Sequence, residues 1–251
     1  MADITAPPLL IVENGNWGGT SLRTVRAVLE SAFDVLLDAF EKLPDAPIRV
    51  ARWSQDPRVF YAYRPYEIRS SARDTYWCQY VYQFSHELCH VMTNFDRHRE
   101  HKHKWFEESL CELASLFVLH RLATVWKERP PAEIAGAVEF APHFRTYSDD
   151  VGNDIGNVKT DRRDLPQWLT KHIDTLEANP FNRELNRTLA VAPLDRFLED
   201  PSLWRDCGWL DHWDPSANET FRDYLDSWAT LLHEKDFAAR TPDLIGSYLG
   251  Y

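Results

Sequence analysis

The pentad His86-Glu87-Leu88-Cys89-His90 constrains this chain more than any other feature. Its lead-in from Tyr76 to Ser85 and its exit, Val91-Met92, contain no Pro or Gly. Trp77, Val81, Phe84, Leu88 and Val91 recur at helical spacing, so the pentad is predicted to ride on a helix with a buried apolar side. Histidines four apart lie about 40° apart around a helix axis, so both imidazoles can reach one metal ion. A glutamate between them faces the same space and can take a proton from a metal-bound water. Leu88 and Cys89 are uncharged, as a motif packed against a core requires.

A catalytic zinc ion needs a third protein ligand and leaves a fourth position for water or substrate. A ligand six residues beyond the second histidine would be Asp96, a layout that resembles the metzincins. That layout wants Gly where this chain has Thr93, and a methionine turn, whereas the only methionines are Met1 and Met92. The other source is a second helix, predicted from Lys104 to Trp126, with Phe106, Leu110, Leu113, Leu116, Phe117 and Leu119 on its apolar face. Glu108 and Glu112 sit four apart on it and project to one side. Glu108 can bind the metal, while Glu112 can accept the free N–H of a metal-bound histidine and hold its tautomer. Glu107 is a competing ligand that points about 100° away, so Glu107 and Glu108 cannot both serve from one face.

The block Trp105-Phe106-Glu107-Glu108-Ser109-Leu110-Cys111-Glu112 resembles the gluzincin peptidases, the thermolysin-like and alanyl-aminopeptidase-like enzymes. In that family a glutamate in a Trp-x-x-Glu-Gly-x-Ala-like segment is the third zinc ligand, which matches Glu108 here. Ser109 stands where Gly is usual, and Glu112 where an acidic residue is usual. The resemblance runs from Trp77 to Leu122 and implies one zinc ion per chain held by His86, His90 and Glu108, with Glu87 as general base. It also implies that the strand preceding the pentad helix, Tyr66 to Ser70, lines the cleft and pairs with a substrate backbone. The Gly-Ala-Met-Glu-Asn strand that anchors a free amine in aminopeptidases is absent, and Glu13-Asn14 ends a predicted first strand instead.

Composition narrows the rest. At 251 residues and 44% apolar, the chain can bury one substantial domain or one and a half. A formal charge of −11 argues against binding nucleic acid or anionic lipid. No stretch reaches the ~18 apolar residues expected of a membrane span, and the N-terminus lacks the basic and apolar regions of a signal peptide. Cys78, Cys89, Cys111 and Cys207 form no Cys-x-x-Cys pair and read as free core thiols, so the expected location is the cytoplasm. Cys89, between the histidines, is expected on the opposite side of its helix, in the core.

Along the chain the organisation is predicted to divide near residue 130, giving a zincin-like α+β subdomain (1–130) and a helical subdomain (131–251) that forms the other wall of the cleft. The first part reads as strand Leu9–Val12, a helix capped by Thr20 or Ser21 and running to about Lys42, then strands Ile48–Ala51, Val59–Tyr63 and Tyr66–Arg69 of a mixed sheet. Gly18-Gly19 reads as a tight turn, since neither a Walker lysine nor a GxGxxG accompanies it. The segment 96–104, with three histidines, reads as a solvated charged loop. Residues 132–160 read as a loop-rich connector, and Asp149, Asp150, Asp154 and Asp161, in and just after it, lack the order of a calcium loop. Helices follow at Asp164–Ala178, Asn182–Val191, Leu194–Leu198 and Asn218–His233.

These readings predict a zinc metallopeptidase acting on a peptide or protein substrate. A donor must stabilise the tetrahedral oxyanion, and His143, Tyr147, His212 and Tyr224 are the candidates. The alternatives are a non-catalytic binding protein on a zincin fold and a zinc hydrolase of a non-peptide substrate. Glu87 argues against the first, because a purely structural site has no need of a base.

Overall fold

The computed structural model describes residues 8–62, 64–95, 97, 101–153, 164–213 and 219–251. It has an α+β fold, predominantly helical with a small four-stranded mixed sheet. Strands β1 (Leu10–Val12), β2 (Ile48–Arg52), β3 (Arg58–Phe60) and β4 (Tyr66–Ser70) are arranged in the order β1-β2-β4-β3. The first two pairings are parallel, and β3 runs antiparallel to β4 with Val59 opposite Ile68. Alternation along β2 and β4 buries Ile48, Val50, Tyr66 and Ile68 on one face. Helix α1 (Leu22–Phe40) packs on that sheet, and its N-cap is Ser21, whose hydroxyl accepts the Thr24 N–H.

The pentad lies on α2 (Trp77–Met92), and α3 (Lys104–Glu128) carries Glu108 and Glu112. Ser115 Oγ donates to the Tyr82 carbonyl at 2.9 Å, and Cys89 Sγ to the Leu110 carbonyl at 3.8 Å. The contact position advances along α2 as it retreats along α3, so the two helices run antiparallel with a fixed register. Helix α3 is buried on nearly every side, from Trp105 to Trp126, rather than along the single stripe its sequence suggests. The cause is its position, with α1 and α2 on one side and α4, α6 and α7 around the rest. It is also the one helix among the described residues long and apolar enough to cross a membrane, and here that apolarity is spent inside the core.

The predicted connector at 132–160 is corrected by α4 (Ala137–Asn153). Pro142 and Gly152 obscure it, but Ala137, Ala141, Phe144 and Ser148 recur at helical spacing and are buried. Phe144 meets Trp126 of α3 edge-on at 4.8 Å, so tertiary packing overrides weak local propensity. The remaining helices are α5 (Leu165–Ala178), α6 (Arg183–Val191), α7 (Leu194–Glu199), α8 (Leu203–Cys207), α9 (Phe221–Glu234) and α10 (Arg240–Leu249). Of these, α8 and α10 were not expected. One continuous set of buried apolar side chains runs from the sheet into these helices, with α3 at its middle.

Candidate metal centre

The antiparallel pairing of α2 and α3 brings His86, His90 and Glu108 together. Glu108 Oε2 lies 3.3 Å from His86 Nε2, and Glu108 Oε1 lies 3.4 Å from His90 Nε2. The two imidazole rings are 4.9 Å apart. Bonds of about 2.05 Å in a tetrahedron put neighbouring ligand atoms about 3.3 Å apart, so each imidazole stands at ligand spacing from one oxygen of the Glu108 carboxylate. The donor set, two neutral nitrogens and a carboxylate, is that of a hydrolytic zinc site. The group is nearly closed to solvent, with the His86 side chain 13% exposed.

Cys111 is also close, and taking one atom per residue it forms a compact trio with both histidines. Its Sγ is 3.2 Å from His90 Nδ1, the ring nitrogen that faces away from Glu108. Burial, then the adjoining Cys89 thiol, hold the Cys111 thiol well above its ordinary value. A neutral thiol against Nδ1 orients the ring, whereas the carboxylate spanning both Nε2 atoms is the better ligand. Cys111 thus does more than the core packing expected of it. Glu112 stands on the corresponding side of His86, with Oε1 3.9 Å from Nδ1, within ion-pair range but beyond hydrogen-bond reach. It is anchored in turn by the Tyr82 hydroxyl and by Arg187 Nε at 3.4 Å and Arg183 Nε at 3.5 Å. Tyr82, Arg183 and Arg187 were missed from sequence, since no local pattern links them to the pentad.

Glu87 is 5% exposed, and its carboxylate accepts the backbone N–H of Val59. Burial pushes its pKa up to about 7, with Glu108 adding to the rise, while the His86 charge and the Val59 N–H oppose it. A carboxyl that exchanges its proton near neutrality is suited to acid–base work. For His86, burial favours the neutral ring, but Glu108, Glu112 and Glu87 outweigh it and raise the pKa to about 9. His90 is lowered to about 3, chiefly by burial. Burial opposes ionisation of Glu108, yet the His90 and His86 rings hold it below the ordinary carboxylate value. Three carboxylates around one pair of imidazoles make a field that favours a cation.

The strand assignment is corrected. β4, the segment Tyr66 to Ser70, is interior, hydrogen-bonded to β2 on one side and β3 on the other. The edge strands are β1 and β3, and it is β3 that meets Glu87 through Val59. The order differs because β4 inserts beside β2 and displaces the hairpin partner outward.

The charged-loop reading is corrected as well: His101 and His103 are buried, as is Lys104. His101 Nε2 lies 2.7 Å from Glu107 Oε1 and 3.7 Å from Asp211 Oδ1. Glu107, the competing ligand, therefore belongs to a separate cluster. Asp96, Asp154 and Asp161 lie outside the described residues, while Asp149 and Asp150 are exposed on α4.

Of the four oxyanion candidates, Tyr224 donates to Asp211 at 3.1 Å, and His212 Nδ1 is 3.0 Å from Arg97. His143 and Tyr147 line a cavity of about 630 Å³ between the start of α2 and α4. Tyr147 packs edge-on at 6.2 Å against Tyr82, whose hydroxyl meets Glu112. A separate groove of about 800 Å³ is lined by residues of α1 and α3 such as Asp34 and Arg121, with Lys42 beside them, and none of the cluster borders it. Gly18 (φ +79°) and the Gly19 N–H, which donates to Asp74 at 2.6 Å, form a turn closed on the chain's own carboxylate.

No protein-family model matches the chain, and neither a curated protein nor a solved structure matches it.

Proposed function

We propose that this protein is a zinc-dependent hydrolase of peptide bonds. The observation that carries the reading is the Glu108 carboxylate spanning both histidine Nε2 atoms, with a buried Glu87 beside them. His86, His90 and Glu108 would hold the ion, one per chain. When bound, zinc supplies a Lewis acid and lowers the pKa of water towards ~7. Glu87 takes the proton of the attacking water and returns it to the leaving amine. Its value near 7 makes both directions accessible at neutral pH. The Val59 N–H favours the ionised Glu87 carboxylate, Cys111 orients His90, and the Glu112 charge faces His86 Nδ1. β3, an edge strand of the sheet next to this base, is the strand to which an extended peptide would add.

The test is metal content by mass spectrometry on wild type, Glu108→Ala and Glu87→Gln, followed by digestion of a peptide library with the zinc-loaded proteins. One zinc per chain in wild type and Glu87→Gln, lost in Glu108→Ala, is the expected pattern. Peptide cleavage should fall at least ~100-fold in Glu87→Gln, the scale of a lost general base. Zinc bound by a wild type that cleaves no peptide would favour a non-peptide substrate or a binding role. No zinc after reconstitution would sink the reading.

A further inference from the structure

We propose that Arg183 binds a substrate carboxylate at the mouth of the metal centre, so that the enzyme selects peptides carrying a free C-terminus or an acidic side chain beside the scissile bond. This rests on the peptidase reading and specifies its substrate class.

The argument begins with two arginines one turn apart on α6. Asn182 caps this helix by accepting the Leu185 N–H, which sets where Arg183 and Arg187 point. Both reach Glu112, through Nε at 3.5 Å and 3.4 Å respectively. From there they differ. Arg187 has a side chain only 19% exposed, and it also donates to the Tyr82 hydroxyl from Nε at 3.3 Å and from Nη2 at 3.2 Å. It is committed to holding Glu112. Arg183 has a side chain 56% exposed, and among the described residues only its Nε is engaged. With more than half of the side chain exposed, its guanidinium remains accessible as a planar fork, the geometry that pairs with a carboxylate through two parallel N–H bonds.

Its location gives the fork a purpose. Glu112 Oε1, which tethers Arg183, is also the oxygen 3.9 Å from His86 Nδ1. The Arg183 charge is felt at both Glu87 and Glu108, where it favours the ionised carboxylates. A cation held on Glu112, one contact removed from His86, is positioned to meet an anionic group that flanks the scissile bond. With a divalent ion in place, the two guanidiniums and the metal outweigh Glu87, Glu108 and Glu112 by one charge. In a chain of net charge −11, the mouth of the site is then locally positive, and anionic substrate groups are drawn to it.

The test measures binding apart from turnover. Zinc-loaded Glu87→Gln protein, with Arg183, Arg183→Lys or Arg183→Met, is titrated calorimetrically with three matched peptides. One has a free C-terminus, one is amidated, and one is amidated with a glutamate near its end. With Arg183, the carboxylate-bearing peptides should bind about tenfold more tightly than the neutral one, as a charge-assisted pair at a half-exposed site allows. Which of the two binds tighter identifies the C-terminus or the side chain as the source. The preference should vanish in Arg183→Met at unchanged zinc content and return in part in Arg183→Lys. Equal binding of all three peptides by the Arg183 protein overturns the proposal. So does a preference that survives Arg183→Met, which would assign the carboxylate to the metal. Loss of zinc in Arg183→Met overturns it too, by making Arg183 a support of Glu112 alone. The peptidase reading fails separately, if wild type cleaves none of the peptides while the carboxylate preference holds.

Discussion

Two buried clusters of histidine and acid share the first turns of α3, and they solve the same electrostatic problem differently. Glu107 faces one and Glu108 the other. In the first, Lys104 Nζ lies 2.8 Å from Glu107 Oε1, 3.4 Å from Asp211 Oδ2 and 3.1 Å from the Phe95 carbonyl. His101 and the Tyr224 hydroxyl complete it, and neither Glu107 nor Asp211 exposes any of its side chain. His101, Glu107 and Asp211 would suit a metal by residue type, but the ammonium of Lys104 already sits among their oxygens. In the second cluster, Glu108 meets two imidazoles and the cationic side chains stand behind Glu112. Phe95 separates the two, its ring 4.4 Å from that of His90 and 4.2 Å from Lys104 Nζ. A cluster whose cation belongs to the chain is a structural knot tying α3 to Asp211. A cluster whose ligand carboxylate faces two imidazoles, with its arginines drawn back onto Glu112 and a slight opening to solvent, is built to take a cation from outside.

The comparison breaks most visibly at Lys104. Lys104→Met strips the counter-charge from two fully buried acids and should destabilise the protein by about 3–5 kcal/mol, the cost of breaking a buried ion pair from one side. Urea unfolding measures this. Glu108→Gln should cost the zinc-stripped protein far less, because it relieves repulsion among Glu87, Glu108 and Glu112 as it loses the imidazole contacts. If the two variants unfold alike, the division between structural knot and metal centre is wrong.

The two clusters also differ in how much of them the sequence displays. His86, Glu87, His90, Glu108 and Glu112 are legible because each pair lies within one helical turn, where spacing alone dictates a shared face. The knot is not legible, since Asp211 is 107 positions from Lys104 and arrives on a turn with φ +58° that no local pattern announces. Cys111 reads as an ordinary core residue until the register of α2 against α3 sets it beside His90. The sheet shows the same limit: its strands are legible, but the insertion of β4 between β2 and β3 depends on pairing between distant segments.

Within the metal centre, the supports of the two histidines can be ranked. Glu112→Gln weakens the hold on His86 and frees Tyr82, Arg183 and Arg187 together, so zinc affinity should fall towards the upper end of ~10–100-fold. Cys111→Ala removes only the thiol against His90 Nδ1 and should cost about tenfold. Competition against a chelator of known affinity gives both numbers. A larger loss for Cys111→Ala than for Glu112→Gln would recast the thiol as a ligand.

The smallest effect concerns pH and isolates the knot. For His101, burial favours the neutral ring, but Asp211 and Glu107 outweigh it and raise the pKa above 6.5. That stabilisation is fully present below 6.5 and is lost as pH rises through the folded value. Asp211 is held below 3.8, with His101 and Lys104 overcoming its burial, so its contribution is present above 3.8 and disappears as pH falls through the folded value. Glu107, raised chiefly by burial, adds to the alkaline loss. Because the Glu107 share is already being lost above 4.5, the knot is strongest at about pH 4 to 4.5 and weakens as pH rises, more steeply once His101 also titrates. Asp211→Asn removes the leading partner of His101, so the stability difference between wild type and Asp211→Asn should shrink by about 1 kcal/mol from pH 6 to pH 8.5. Taking the difference cancels titration of the metal ligands, which both proteins share. A difference that stays constant or widens over that range would mean that His101 is neutral in the folded protein and that Lys104 alone balances the two acids.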